Sequence, residues 1–213
     1  MVLAYVGVLR TIIFNMSDTP PENPHIGMDD TEMVRLALTE QAFFAHIIHR
    51  YEAKLERYIR RLGVHDVEDR ADVLQEIFIK VYKNLNAFDQ GLPFSSWIYR
   101  IAHNEAISWY RKRNVRPEGH LVLDSDDVFL FLSNKEDTSE EVFDKSINAE
   151  VLAEALEKID EKYRDVLLLR YFEHKEYGEI SDILQIPVGS VGTLLHRGKK
   201  ALRDVLNPDS VRM

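Results

Sequence analysis

"EISDILQIPVGSVGTLLHRGKKAL", residues 179–202, holds two short apolar periods separated by a turn. Ile180, Ile183 and Leu184 fall on one side of a first helix, and Val188, Val191, Leu194 and Leu195 line a second. The "QIP" between them stops the first helix, because Pro187 disfavours α geometry in the residue before it. Two short helices joined by a tight turn form the helix-turn-helix pattern, whose second helix enters the major groove of duplex DNA. Off the apolar stripe the second helix offers Ser190, Gly192, Thr193, His196, Arg197, Lys199 and Lys200. Between Gly189 and Asp204 the cations Arg197, Lys199, Lys200 and Arg203 meet a single acid, which suits contact with phosphates. A helical hairpin with a basic, solvated face reads the same residues without DNA.

Outward from this hairpin the chain is acidic. Its 213 residues carry a formal charge of −9, which argues against non-specific nucleic-acid binding by the molecule as a whole but not by a local patch. A hydrophobic content of 45% supports real cores. With no cysteine, disulfides, thiolate metal sites and thiol catalysis are excluded, which fits a reducing cytoplasm. No HExxH, Gly-rich phosphate loop or nucleophile elbow occurs, so neither enzyme activity nor a metal or cofactor is expected. The apolar start "MVLAYVGVLRTIIF" is too short to span a bilayer and lacks a signal-peptide cleavage pattern. Residues 1–28 are expected to be a disordered tail or a start codon placed too early, with a membrane-surface or partner-binding tail as the other reading.

Periodicity predicts an all-α protein of two small helical domains. A helical pattern runs from Asp29 to about Arg61 through Met33, Leu36, Phe43, Ile47, Tyr51, Leu55 and Tyr58, and Gly63 breaks it. A second helix covers about 67–85. In "DVLQEIFIKVYKNL", residues 72–85, an apolar stripe lies opposite Asp72, Gln75, Glu76 and Lys83. That polar side is either a solvated face or a dock for a basic protein surface. After the loop "NAFDQGLP", Ser95 or Ser96 is expected to cap a helix running through Trp97 to about Arg113. On it Ile98, Ile101, Ala102, Glu105 and Trp109 share one side, and Arg100, His103, Asn104, Ile107 and Arg111 another. Rings beside cations suit single-stranded nucleic acid, where stacking contributes roughly 1–3 kcal/mol per base. The same rings also suit a core. Residues 29–116 form the expected first domain and 117–149 an acidic linker, whose "VFLFL" could dock on something. Residues 150–213 form the helix-turn-helix domain.

Three motifs in this order resemble the bacterial RNA polymerase sigma factors of the extracytoplasmic-function (ECF) group. They are "DVLQEIFIKVY", "FSSWIYRIAHNEAISWYRKR" and "EYGEISDILQIPVGSVGTLLHRGKKAL". The resemblance implies a promoter-specificity factor that binds core polymerase and directs transcription initiation. Asp72, Gln75 and Glu76 would meet the clamp helices of the β′ subunit. Asp89, Gln90, Gly91, Trp97, Arg100, His103, Asn104 and Arg111 would hold the opened strand near −10. Ser190, Val191, Thr193, His196, Arg197 and Lys200 would read the −35 duplex. An anti-sigma partner is common in the family and leaves no readable mark here.

Several residues depart from the family pattern. Gly192 and Leu194 stand where a basic residue and Arg are usual. Gln185 replaces a turn glycine, which would be strained at positive φ. Glu176 replaces a Ser or Thr cap, and Lys175 an apolar residue. Two rival readings follow: a stand-alone helix-turn-helix regulator, and a protein-interaction adaptor with a weakened DNA helix.

Overall fold

The structure, a computed structural model, describes residues 28–113, 121, 123, 125–133 and 148–207. The expectations for the N-terminal tail and for most of the linker lie outside these residues. The described residues form nine α-helices and no strand, as the periodicity implied.

The helical pattern expected from Asp29 to Arg61 is divided in two. Helix α1 spans Asp30–Thr39 and starts where the Asp29 carboxylate accepts from Glu32 N at 2.7 Å. It ends where Glu40 turns extended (φ −136°). The Thr39 hydroxyl donates to Leu36 O at 2.9 Å, a local bond of the kind that competes with helix continuation. A 3-10 turn at Gln41–Phe43 leads into α2, Phe44–Arg61. Gly63, at φ +107°, reverses the chain after α2, and the Tyr110 hydroxyl fills the space where a Cβ would stand. Helix α3, Val67–Asn84, is capped by Asp66, which accepts from Glu68 N and Asp69 N. Helix α4 is Phe94–Arg113. It begins directly after Pro93, so Ser95 and Ser96 lie inside its first turn rather than capping it. These four helices bury Ile47, Leu55, Tyr58, Ile77, Phe78 and Ile98 in a common core.

The second half begins with α5, Ser125–Ser133, the segment that holds "VFLFL". It docks by Val128 and Phe131, the Phe131 ring lying 5.2 Å from Tyr171 and 6.1 Å from Phe172. Helix α6, Ala149–Lys158, is capped by Asn148. Helix α7, Glu161–Leu167, is capped by Asp160 and opens into a wider π-type turn at Leu168–Phe172. Helices α8, Tyr177–Leu184, and α9, Val188–Leu206, form the expected hairpin. Gln185 between them is left-handed, with φ 54° and ψ 46°. The anticipated strain is therefore present. Gln185 Nε2 donates to Asp182 O at 2.7 Å, and Ser181 Oγ to Ile186 O at 2.6 Å, which together hold the turn.

The two halves touch. Helix α4 packs along α8, and α6, α7 and α9 build the rest of the second lobe.

Candidate nucleic-acid interface

On α3 the apolar residues Val73, Ile77, Phe78 and Val81 face inward, so helical spacing turns Asp72 and Glu76 outward and leaves Gln75 half-buried. The three form one polar face. Lys80, one turn on, is tied to Glu105 of α4, which braces this face against the next helix.

Helix α4 has three faces, not two. Ile98, Ala102 and Glu105 pack towards α2 and α3. Arg100, Asn104 and Arg111 stay on the outer side, with Asn104 and Arg111 exposed. Ser95, Tyr99 and His103 turn to the second lobe, whereas the Tyr110 hydroxyl donates to Leu62 O of the first at 2.7 Å. His103 thus separates from the cations it was grouped with. Its Nδ1 lies 3.0 Å from the Tyr58 hydroxyl, and its Nε2 lies 3.8 Å from Asp165 of α7. Burial pushes the His103 imidazole down to about 4 and the Asp165 carboxyl up to about 7, although the Arg164 charge partly restrains the latter. At neutral pH the pair is therefore not a salt bridge. His103 is removed from the strand-holding set in this arrangement because the second lobe covers it.

Trp97 is half-buried among rings, 5.1 Å from Phe88 and 5.6 Å from Phe94, and anchors the loop before α4. That loop is exposed. Asp89 closes it by accepting from Gly91 N at 2.9 Å, which leaves Gln90 and Gly91 at the tip.

On α9, Thr193, His196, Arg197 and Lys200 are exposed along one side, and Ser190 is half-buried at its start. Val191 is 0% exposed and belongs to the core. It cannot touch DNA: it lies on the apolar stripe with Leu195 and Leu202. Gly192 lies 3.4 Å, by its missing Cβ, from the Tyr177 ring, so a side chain fits there in ordinary contact. Leu194 packs partly onto the core. The cationic face of α9 therefore rests on Arg197 and Lys200.

The seam between the lobes was not anticipated. Arg61, at the end of α2, is bonded to Asp127 of α5 and Glu173 after α7, its side chain only 4% exposed. Glu173 also accepts from the Tyr99 hydroxyl at 2.7 Å, and the guanidinium lies 5.5 Å from the Phe172 ring. Burial raises the Glu173 carboxyl, and the Arg61 charge opposes it. Lys175 reaches back to Ser95 Oγ and lies 4.0 Å over the Tyr99 ring, which explains why a cation replaces the usual apolar residue. Only that departure signalled the seam. Arg61 reads as one more base beside Arg60, and Asp127 as one acid among many.

Comparison with known proteins agrees with this layout. Residues 47–116 match Sigma-70 region 2 and residues 149–202 match Sigma-70, region 4. The ECF RNA polymerase sigma factor SigW of Bacillus subtilis is 34% identical over 174 residues, 78% of this chain and 90% of the relative. The RNA polymerase sigma-H factor of Pseudomonas aeruginosa is 32% identical over 184 residues, covering 84% and 94%. In fold, CnrH solved with the cytosolic domain of CnrY superposes with a TM-score of 0.61 at 23% identity, covering 84% of this chain and 98% of that one. The sigma factor RpoE solved with the anti-sigma factor NepR from Bartonella quintana gives 0.54 at 16% identity, covering 76% and 97%. Both regions in order, and identity above 30% across nine-tenths of a relative, place this chain in the family of ECF RNA polymerase sigma factors.

Proposed function

We propose a division of labour between the two lobes for this chain, whose family directs promoter-specific transcription initiation by RNA polymerase. The outward face Asp72–Gln75–Glu76 docks on the basic clamp helices of core polymerase. The exposed loop Asp89–Gly91 with Arg100, Asn104 and Arg111 holds the opened strand near −10. Helix α9 reads the −35 duplex through Ser190, Thr193, His196, Arg197 and Lys200. Opening the upstream element costs a few kcal/mol of lost stacking, which pocket contacts to a splayed base offset. The whole chain acts without catalysis of its own, in the cytoplasm. An anti-sigma protein is a further partner, on the ground that the RpoE relative was solved with one.

One observation carries the reading. Two separate polar faces, acidic on α3 and cationic on α9, stand exposed on one chain. A stand-alone duplex-binding regulator has no use for the first.

The two elements also set a distance. Sites near −10 and −35 lie about 25 base pairs apart, or ~85 Å along B-DNA at 3.4 Å per step. With α4 packed on α8 the two lobes make one compact body, whose radius of gyration at 213 residues is about 17 Å, too small to reach both sites. The lobes must therefore part on the promoter, which also frees His103. The test is core-polymerase binding by a Gln75→Lys, Glu76→Lys double variant. A loss of about a hundredfold, roughly 2.7 kcal/mol, with an unchanged melting temperature supports the reading. Wild-type affinity for core ends it.

A further inference from the structure

A cleft of about 590 Å³ opens between the lobes, lined by Arg50, Lys54 and Arg57 of α2, Tyr99 of α4, and His174 and Lys175 of the second lobe. Its size lies in the range of small-molecule sites. Two carboxylates border it, and both are engaged: Asp30 with Arg50 and Tyr51, Glu173 with Arg61 and Tyr99. Lys54 and Arg57, one helical turn apart and exposed, have no carboxylate partner among the described residues. Burial lowers the Lys175 pKa, the Glu179 and Glu173 carboxylates oppose that, and the charge of nearby Lys54 adds to it. On a chain of net charge −9, cations from both lobes thus line one hollow: Glu179 holds Lys175 at 3.8 Å and Asp30 holds Arg50 at 2.8 Å, which leaves Lys54 and Arg57 as its cations without a carboxylate among the described residues.

We propose that this cleft binds a small, multiply charged phosphate compound, and that the ligand holds the lobes together. Phosphate chains suit it because a guanidinium fork and point-charged ammonium groups are the side chains that grip phosphoryl oxygens. Binding draws on both lobes, so the ligand prefers the closed arrangement and shifts the population towards it by that difference in affinity. The effect on polymerase rests on the open, promoter-bound state proposed above. The site itself does not.

The experiment uses the full chain, without divalent cations. Melting is followed with pyrophosphate, tripolyphosphate and ATP, against sodium chloride at equal ionic strength and hexaglutamate at equal charge. At saturation the phosphates raise Tm by about 5 °C. A Lys54→Ala, Arg57→Ala variant melts like the parent without ligand and binds at least tenfold more weakly. Equal affinity for ATP and tripolyphosphate assigns the site to the phosphate chain alone, and tighter ATP adds a base contact; both support the proposal. No rise in Tm, an equal rise with salt or hexaglutamate, or an equal rise in the variant overturns it. Because the chain has no cysteine, dyes on Glu68→Cys and Lys158→Cys report lobe separation. Energy transfer rises with tripolyphosphate, and core binding weakens in parallel. An unchanged transfer at saturating tripolyphosphate overturns the closing role. If the phosphates bind as expected but core polymerase never does, the polymerase reading fails and the site stands.

Discussion

Helices α4 and α9 both carry cations expected to meet nucleic acid, yet the protein treats them differently. On α9 the apolar residues Val191, Leu195 and Leu202 form one stripe, and everything opposite is solvent-facing. Arg197 and Lys200 are available whatever the rest of the chain does. On α4 two packing partners divide the surface. The first lobe takes Ile98 and Ala102, the second takes Tyr99 and His103, and Arg100, Asn104, Arg111 and Lys112 are left over. A helix with one lobe as its neighbour shows its function in its pattern. A helix with two does not, because its second buried face is built partly of polar residues that look exposed.

The most severe way to break this contrast is Arg61→Ala. It removes the guanidinium that joins the buried Asp127 and Glu173 carboxylates, 2% and 6% exposed. Removing one partner of a buried ionic cluster costs about 3–5 kcal/mol, so Tm should fall by about 10 °C. A loss under ~1 kcal/mol would mean that the seam already opens freely in solution and that α4 is no more covered than α9.

Next comes Asp165→Asn, read against pH. The Asp165 pKa is raised to about 7, so the native state holds its proton more tightly than the unfolded chain, and its ionisation destabilises the fold as pH rises towards and through 7. The His103 pKa is lowered to about 4, so native stability falls as pH drops from about 6.5 to 4. The two trends oppose each other between those limits, and the parent should vary little there. Asp165→Asn removes one of them. It should gain on the order of 2–4 kcal/mol at pH 8 and then lose stability on acidification below pH 6.5. Denaturant midpoints at pH 8, 6.5 and 5 check this. A parallel pH profile for parent and variant would place Asp165 outside the seam in solution.

On the open side of the comparison, Arg197→Ala with Lys200→Ala should weaken duplex binding about tenfold in low salt. It should also reduce the slope of log affinity against log salt by about 2, as two phosphate contacts are lost. Anisotropy with a −35 duplex in a salt series measures both. An unaltered slope would favour the adaptor reading, in which α9 is only a solvated basic face. The smallest effect is Gln185→Gly, which relieves a non-glycine left-handed residue and should add about 1 kcal/mol, or 2–4 °C in Tm. No gain would show that the Gln185–Asp182 bond fully offsets the strain.

Much of this was legible in the chain. The caps at Asp29, Asp66, Asn148 and Asp160 are short-range features, since a side-chain oxygen satisfies an amide two or three residues away, yet none of the four was anticipated, and the cap expected at Ser95 or Ser96 lies inside α4. The hairpin of α8 and α9, its strained Gln185, the break at Gly63 and the outward set on α3 follow from periodicity and turn chemistry. The division of the first helical stretch at Glu40 did not, because its apolar residues continue across the break. Val191 was placed both in the core and on the DNA, and helical spacing alone should have settled that in favour of the core. His103 was grouped with the strand-holding residues, a grouping its chemistry could not secure, because imidazole suits a phosphate, a base or a buried tyrosine equally well.

By itself, then, the order of residues determined the helices, their caps and which side of α3 and α9 is polar. Those depend on neighbours three or four positions away, within one turn. Tertiary structure alone decided that Arg61 meets Asp127 and Glu173, that Lys175 reaches Ser95, and that His103 is covered. These pairs lie 66, 112 and 80 residues apart along the chain for the first three. No local periodicity brings such charges together; only the packing of α4 against the second lobe removes the water that would otherwise keep them apart.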